Sequence, residues 1–227
     1  MNKEKIQIKN IIPIDMSIIS EKLKELDLKD KELDLQSCSA SLKEGWIFQS
    51  VLSAVQPKNI LEIGFYRGGS SFLMLNLSEA KVTSVDPIFN ITDVRMGKDI
   101  ADEKTLHAKE FECVDKIKNE FGERFSFIKK SSTDIYEDVK DQSFDFMYMD
   151  GDHWEHGVRN DFNLALKLKI PYILVDDWIQ PQNSPKSIPT VWGEEFSDKL
   201  KPLALFYREA TCNGFNIPMV LLKNNTI

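Results

Sequence analysis

Two acidic clusters in this chain stand where they could do chemistry. Asp150-Gly151-Asp152-His153 closes an apolar run from Phe144 to Met149, and Asp176-Asp177 closes another from Tyr172 to Val175, 26 residues further on. If those runs are neighbouring parallel strands, Asp150, Asp176 and Asp177 meet at one edge of a sheet. Three carboxylates left alone there repel one another and raise each other's pKa. A divalent cation removes the conflict, and all-oxygen ligation suits Mg²⁺ or a similar hard ion. Such an ion binds a substrate hydroxyl, lowers its pKa and holds it for nucleophilic attack. His153, three residues after Asp150, is the candidate general base, because an imidazole titrates near working pH. Asp152 is a reserve ligand or base. The plainer alternative is an ordinary Asp-Gly turn, with Asp176-Asp177 capping the next segment and His153 opening a helix.

A second constellation precedes these. Ile60-Leu61-Glu62-Ile63-Gly64-Phe65-Tyr66-Arg67-Gly68-Gly69-Ser70-Ser71 reads as a strand, a tight glycine turn and a helix start. Glycine lets the backbone approach a ligand closely, and the helix start offers unpaired N–H groups. The dinucleotide pattern G-x-G-x-x-G needs glycine where Glu62 stands, and a carboxylate there repels a docked pyrophosphate. No Walker lysine follows. The pocket therefore suits a neutral or cationic nucleoside, and S-adenosylmethionine, with its sulfonium, ammonium and ribose, fits. Asp86, 22 positions after Gly64 and at the end of a second strand, could take two ribose hydroxyls. Glu62 could hold the ammonium side, directly or through water.

Leu61-Glu62-Ile63-Gly64-Phe65-Tyr66-Arg67-Gly68-Gly69-Ser70 resembles motif I of class I S-adenosylmethionine-dependent methyltransferases, with the metal-dependent O-methyltransferases of the catechol type most similar. That resemblance implies that Gly64 and Gly68 line the cofactor and that Tyr66 and Ser70 contact its methionine part. Ser132-Thr133-Asp134 resembles the family's adenine-edge turn. Asp150-Gly151-Asp152-His153-Trp154 resembles the Asp-Gly-x-His signature of sugar and macrolide-sugar O-methyltransferases, which also carry a later Asp-Asp pair. It implies metal ligation by Asp150, Asp176 and Asp177, with Asp150 also bordering the cofactor, and His153 as base. The catechol branch has lysine where His153 stands, so the chain sides with the sugar branch.

The elements that must position these residues alternate. Strands are expected at 59–63, 81–85, 125–128, 144–149 and 172–175, with helices at 41–55, 70–79, 103–121, 134–140, 153–168 and 190–200. Final strands at 203–208 and 217–222 are joined by a short turn at Asn213-Gly214. The expectation is an α/β, Rossmann-like, seven-stranded and mostly parallel sheet, with an antiparallel C-terminal hairpin and helices on both faces. Residues 41–227 would form the methyltransferase domain. Residues 1–40, with an amphipathic stretch at 17–30, would be an N-terminal helical extension that covers the pocket or makes a dimer contact. Long loops at 87–102 and 178–189, with Trp154, Trp178 and Trp192 near them, would shape the pocket for a sugar or other polyhydroxylated acceptor. Arg67 and Arg95 could meet an acidic group on the acceptor but read more simply as solvated, and His107 as part of a charged helix.

Bulk properties narrow the class. A chain of 227 residues with 42% hydrophobic and 29% charged content reads as one ordinary globular α/β unit. Net charge is −7 and no basic stripe appears, which argues against a nucleic-acid partner. No apolar run approaches a membrane span and no secretory leader is visible, so a cytoplasmic, non-membrane setting is expected. Cys38, Cys113 and Cys212 are odd in number and widely spaced, against a disulfide framework. Rival readings are a metal-independent small-molecule or protein methyltransferase on the same fold, a nicotinamide-dependent oxidoreductase, and a non-catalytic cofactor-binding module. Glu62 disfavours the oxidoreductase, and the Tyr-x-x-x-Lys pair present, Tyr136 with Lys140, falls on a short helix far from the place such an enzyme needs it. The module would follow if the aspartates fail to converge.

Overall fold

The protein is seen here as a computed structural model, which describes residues 42–87, 103–178, 188–208 and 217–227. Its elements run α1 (Leu42–Val55), β1 (Asn59–Ile63), α2 (Gly69–Leu77), β2 (Lys81–Val85), α3 (Glu103–Phe121), β3 (Phe125–Ile128), α4 (Tyr136–Val139), β4 (Phe146–Met149), α5 (Glu155–Lys167), β5 (Tyr172–Val175), α6 (Ile188–Glu195), β6 (Leu200–Arg208) and β7 (Ile217–Asn224). The strands form one seven-stranded sheet in the order β3-β2-β1-β4-β5-β7-β6. β1 to β5 are mutually parallel, and β7 runs antiparallel to both β5 and β6. This is the architecture the alternation of apolar runs and periodic segments leads one to expect.

The parallel strands are mostly apolar because both faces are covered, with Glu62, Thr83 and Ser84 as buried polar exceptions. On one face α1, α2 and α3 pack Phe48, Phe72 and Ile117 against Ile60, Val82 and Phe146. On the other α4, α5 and α6 pack Val139, Phe162 and Val191 against Leu61, Met147 and Ile173. The strand order reverses between β1 and β4, and open α/β sheets bind ligands beyond the carboxyl ends of the strands at such a point.

Several boundaries differ from the expected ones for identifiable reasons. β4 starts at Phe146 rather than Phe144, because the Asp145 carboxylate accepts the N–H groups of Lys58 and Asn59 and closes the start of β1 instead. α5 starts at Glu155 rather than residue 153. Asp152 Oδ1 accepts the Trp154 N–H at 2.9 Å, which keeps His153 in the turn before the helix. β6 begins at Leu200, ahead of Pro202. A proline removes one ladder donor, which is tolerated here on an edge strand with a register irregularity between Pro202 and Ala204. The end of α3 at Phe121 falls where expected, with Gly122 at φ 57 as its left-handed stop.

The extension over 1–40, residue 41 at the start of the expected helix, the loop interior at 88–102 with Arg95, residues 179–187 and the Asn213-Gly214 turn lie outside the described residues. No described helix is long and apolar enough to cross a membrane.

Candidate active site

The acids at the strand ends are held by the sheet itself. Each is the first residue past its strand, and its N–H still pairs with the neighbouring strand. Asp86 donates to the Ile128 carbonyl at 3.2 Å, Asp150 to Ile63 at 2.9 Å and Asp176 to Met149 at 2.9 Å. Gly64 does the same to Val85 at 2.9 Å. The carboxyl edge of β2, β1, β4 and β5 is therefore a fixed row of functional groups.

The glycine turn leaves this row in left-handed backbone. Gly64 has φ 92, Tyr66 φ 48 and Gly68 φ 74. A Cβ on Gly64 would lie 2.1 Å from the Asp150 carbonyl oxygen, so the turn after β1 presses directly on the turn after β4. A Cβ on Gly68 would meet Ile117 and Phe65 at 2.4–2.7 Å. Tyr66 has a Cβ, and its strained conformation is held by Asp86, whose Oδ2 accepts the N–H groups of Phe65 (2.9 Å) and Tyr66 (3.1 Å). A bidentate grip on ribose by Asp86 would share Oδ2 with these two donors. Arg67, expected to be solvated, is only 7% exposed, with its guanidinium 5.6 Å from the centre of the Tyr66 ring.

Glu62 is wholly buried beneath the turn. Ser70 bonds its Oε1, and Ser71 and Ser84 bond its Oε2. Glu62, expected to hold the ammonium side of a cofactor directly or through water, supports the turn from below and bonds the hydroxyl of Ser70, the residue that the resemblance places on the methionine part of the cofactor. Burial raises its pKa to about 7 against the lowering effect of the three serines. Across the sheet Glu62 pairs in register with Ser84 on β2 and with Tyr148 on β4, so one polar row crosses an apolar sheet.

At the second cluster, parallel pairing of β4 and β5 brings the acids together as expected. His153 sits between them, with Nε2 3.4 Å from Asp150 Oδ1 and Nδ1 3.5 Å from Asp177 Oδ2. Burial lowers its pKa, but the neighbouring carboxylates of Asp150, Asp177 and Asp176 outweigh that and lift it to about 9. In the chain alone the ring is an imidazolium at neutral pH and balances the carboxylates. Asp176, 2% exposed, faces inward: its Oδ2 accepts the Tyr148 hydroxyl at 2.8 Å and its Oδ1 the Asp177 N–H at 2.6 Å. The donor chemistry fits a divalent cation. Asp150, His153 and Asp177 each offer one ligand atom, all within 4.8 Å of one another. Two carboxylates and an imidazole suit Mn²⁺, Fe²⁺ or Zn²⁺ as well as Mg²⁺. Asp176, expected among the ligands, lies behind this group.

The Ser131–Asp134 turn follows β3, and its Ser132 hydroxyl meets Asn160 at 3.1 Å and bonds Asp161 on α5. Thr133 is exposed, and its hydroxyl bonds Ser131 at 3.0 Å. Asp161 is a residue that sequence reasoning missed. It is wholly buried beside Gly151, its Oδ2 has no hydrogen-bond partner among the described residues, and burial lifts its pKa to about 7. Its signal was an acid at helical spacing from Val158, on the apolar side of α5. Tyr148 was missed likewise, a phenol in a fully buried strand two residues before Asp150 and so on the same face. Of the tryptophans, Trp178 packs edge-on against Trp192, whose Nε1 donates to the Leu200 carbonyl. Trp154 is 52% exposed. His156 makes a surface pair with Asp152 at 2.9 Å.

These groups give a pH dependence of stability with one sign. Glu62 and Asp161 ionise near 4 when unfolded and near 7 when folded, so the folded state keeps extra protons between those values. Their contribution falls as pH climbs from about 4 to 7. His153 has a raised pKa, so its contribution is complete below about 6.5 and fades as pH rises through about 9. The chain without cation or cofactor is expected to melt several degrees higher at pH 5.5 than at pH 8.5, read by calorimetry in EDTA. A melting temperature that rises over that interval would contradict these burial-driven shifts.

Residues 61–178, more than half of the chain, match the family described as a methyltransferase domain. The chain belongs to that family, and its sheet is the class I S-adenosylmethionine-dependent methyltransferase fold. Two solved structures show the same fold over nearly the whole length. One is the O-methyltransferase from Bacillus cereus in complex with S-adenosylhomocysteine (18% identity, 94% of this chain and 93% of that one, TM-score 0.61). The other is TomG from Streptomyces achromogenes, an O-methyltransferase of tomaymycin synthesis solved with S-adenosylmethionine (17% identity, 93% and 91%, TM-score 0.60). A curated relative, ribosomal RNA small subunit methyltransferase H of Rickettsia prowazekii, is 32% identical over 107 residues, 46% of this chain. The match spans 29% of that relative's length.

Proposed function

We propose that this chain transfers the methyl group of S-adenosylmethionine to a hydroxyl of a sugar or other polyhydroxylated small molecule, with a divalent cation assisting. The observation that carries this reading is the convergence of Asp150, His153 and Asp177 beside the Gly64 turn in a methyltransferase-family chain. Residues 41–227 are the catalytic unit in this reading, and 1–40 an extension to it. Gly64, Tyr66, Gly68, Ser70 and Asp86 receive the methionine and ribose of the cofactor, and Ser132 and Thr133 its adenine edge. A divalent cation would be held by the carboxylates of Asp150 and Asp177, with Asp176, bonded to Tyr148 and to the Asp177 N–H, supporting them from behind.

A divalent ion there supplies a Lewis acid for the acceptor hydroxyl and the positive charge that lets His153 give up its proton. The neutral imidazole takes the hydroxyl proton, and the acceptor oxygen forms its bond to the methyl carbon as the carbon–sulfonium bond breaks. The products are the methyl ether, S-adenosylhomocysteine and an imidazolium. Exposed Trp154 offers an apolar face to the acceptor ring.

The test is calorimetric titration with S-adenosylmethionine, with and without Mg²⁺, followed by transfer assays on sugars, polyhydroxylated natural products, phenols and RNA. Binding of the cofactor and EDTA-sensitive transfer to a hydroxyl compound are expected. Absence of cofactor binding sinks the reading, EDTA-insensitive transfer removes the cation, and transfer to RNA alone reassigns the acceptor. His153→Ala is expected to abolish turnover while leaving cofactor affinity largely intact, and normal turnover in that variant overturns the base assignment.

A further inference from the structure

We infer that Tyr148 is a positioning residue of the acidic centre: its buried phenol ties Asp176 to Asp150 and sets which carboxylate oxygens face the cation. The inference rests on the metal-assisted reading above. Tyr148 is 1% exposed on β4, with its ring edge-on to Phe48 at 5.0 Å. Its hydroxyl lies 2.8 Å from Asp176 Oδ2 and 3.2 Å from Asp150 Oδ2. One phenolic proton thus serves two like-charged groups at the ends of adjacent strands. A buried carboxylate is costly unless it is hydrogen-bonded, and the phenol meets part of that need where a lysine or arginine would add a positive charge that repels the cation.

The consequence is directional. Oδ2 of both acids is turned toward the phenol, inside the protein. Oδ1 of Asp150 is the oxygen that faces His153. Asp176 Oδ1 accepts the Asp177 N–H, in a residue at φ 48, so the same carboxylate also fixes the left-handed turn that aims Asp177 at His153. Tyr148 thereby orients Asp150 directly and Asp177 through Asp176. Partners of this kind behind a metal's ligands typically carry tenfold to a hundredfold in affinity.

Tyr148→Phe removes one oxygen and keeps the ring on Phe48. With the full chain and no acceptor, Mn²⁺ binding is measured by electron paramagnetic resonance, S-adenosylmethionine binding by calorimetry and the melting temperature by circular dichroism. The expected result is Mn²⁺ affinity weaker by about tenfold or more, with cofactor affinity within about twofold of wild type. Mn²⁺ affinity within about threefold of wild type overturns the inference whatever the melting temperature does, since packing alone would then be the role of the phenol. Joint loss of Mn²⁺ and cofactor binding also overturns it, because the defect is then general. If the wild-type chain itself binds no Mn²⁺, the metal-assisted reading fails and this inference with it. Binding by wild type with no change in the variant sinks the inference alone.

Discussion

Gly64→Ala is expected to abolish cofactor binding and to destabilise the chain by about 3 kcal/mol or more. Two independent costs add at this position. The backbone is left-handed at φ 92, where an L side chain is strained, and the new Cβ would lie 2.1 Å from the Asp150 carbonyl oxygen. A carbonyl belonging to the neighbouring strand end cannot yield as a flexible side chain would, so either β1 and β4 part or the turn refolds. Gly122 supplies the control. It is also left-handed, at φ 57, but nothing lies within 4 Å of its Cβ position. Gly122→Ala therefore carries the backbone cost alone, about 1 kcal/mol. Urea unfolding of both variants separates the two effects. Equal, small losses for both would show that the contact with Asp150 carries no weight.

Asp150→Asn is expected to lower turnover by two to three orders of magnitude, roughly the scale of removing one preorganised electrostatic contact, while cofactor affinity changes by no more than about threefold. The amide keeps the shape but removes a charge from the group formed with His153 and Asp177. Asp152→Asn, two residues on, is expected to leave turnover within about threefold, since that carboxylate caps Trp154 and pairs with His156 at the surface. A variant at 150 that turns over normally, or one at 152 that fails, would reverse the roles of the two aspartates.

Much of this was legible before any coordinates. Period and punctuation place β1, β2, β3 and β5, and adjacency of like strands implies that Asp150, Asp176 and Asp177 meet. What was not legible is the direction in which each side chain is held. Glu62 and Asp176 have the right type and place for ligand contacts, yet Ser70, Ser71 and Ser84 turn the first inward, and Tyr148 with the Asp177 N–H turns the second. Apart from the Asp177 N–H, which is the next residue along, those partners come from other strands and from α2, so no local pattern reveals them. Asp161 and Tyr148 could have been found by asking which polar residues interrupt an apolar face. Arg67 misled because a charge in a turn usually reaches water, and here it lies against Tyr66.

The contact between Gly64 and the Asp150 carbonyl has a further meaning for how this protein can be altered. The half of the sheet assigned to the methyl donor and the half assigned to the acceptor touch through main chain, with no room for even a methyl group between them. The distance separating a sulfonium from an incoming oxygen would then be a property of the sheet, indifferent to which side chains line the acceptor pocket. Mutagenesis for new acceptors can vary the exposed Trp154 and His156, because exchanging them leaves the reaction axis where it is. An insertion of one residue between Gly64 and Gly68, by contrast, would shift that axis for every substrate at once.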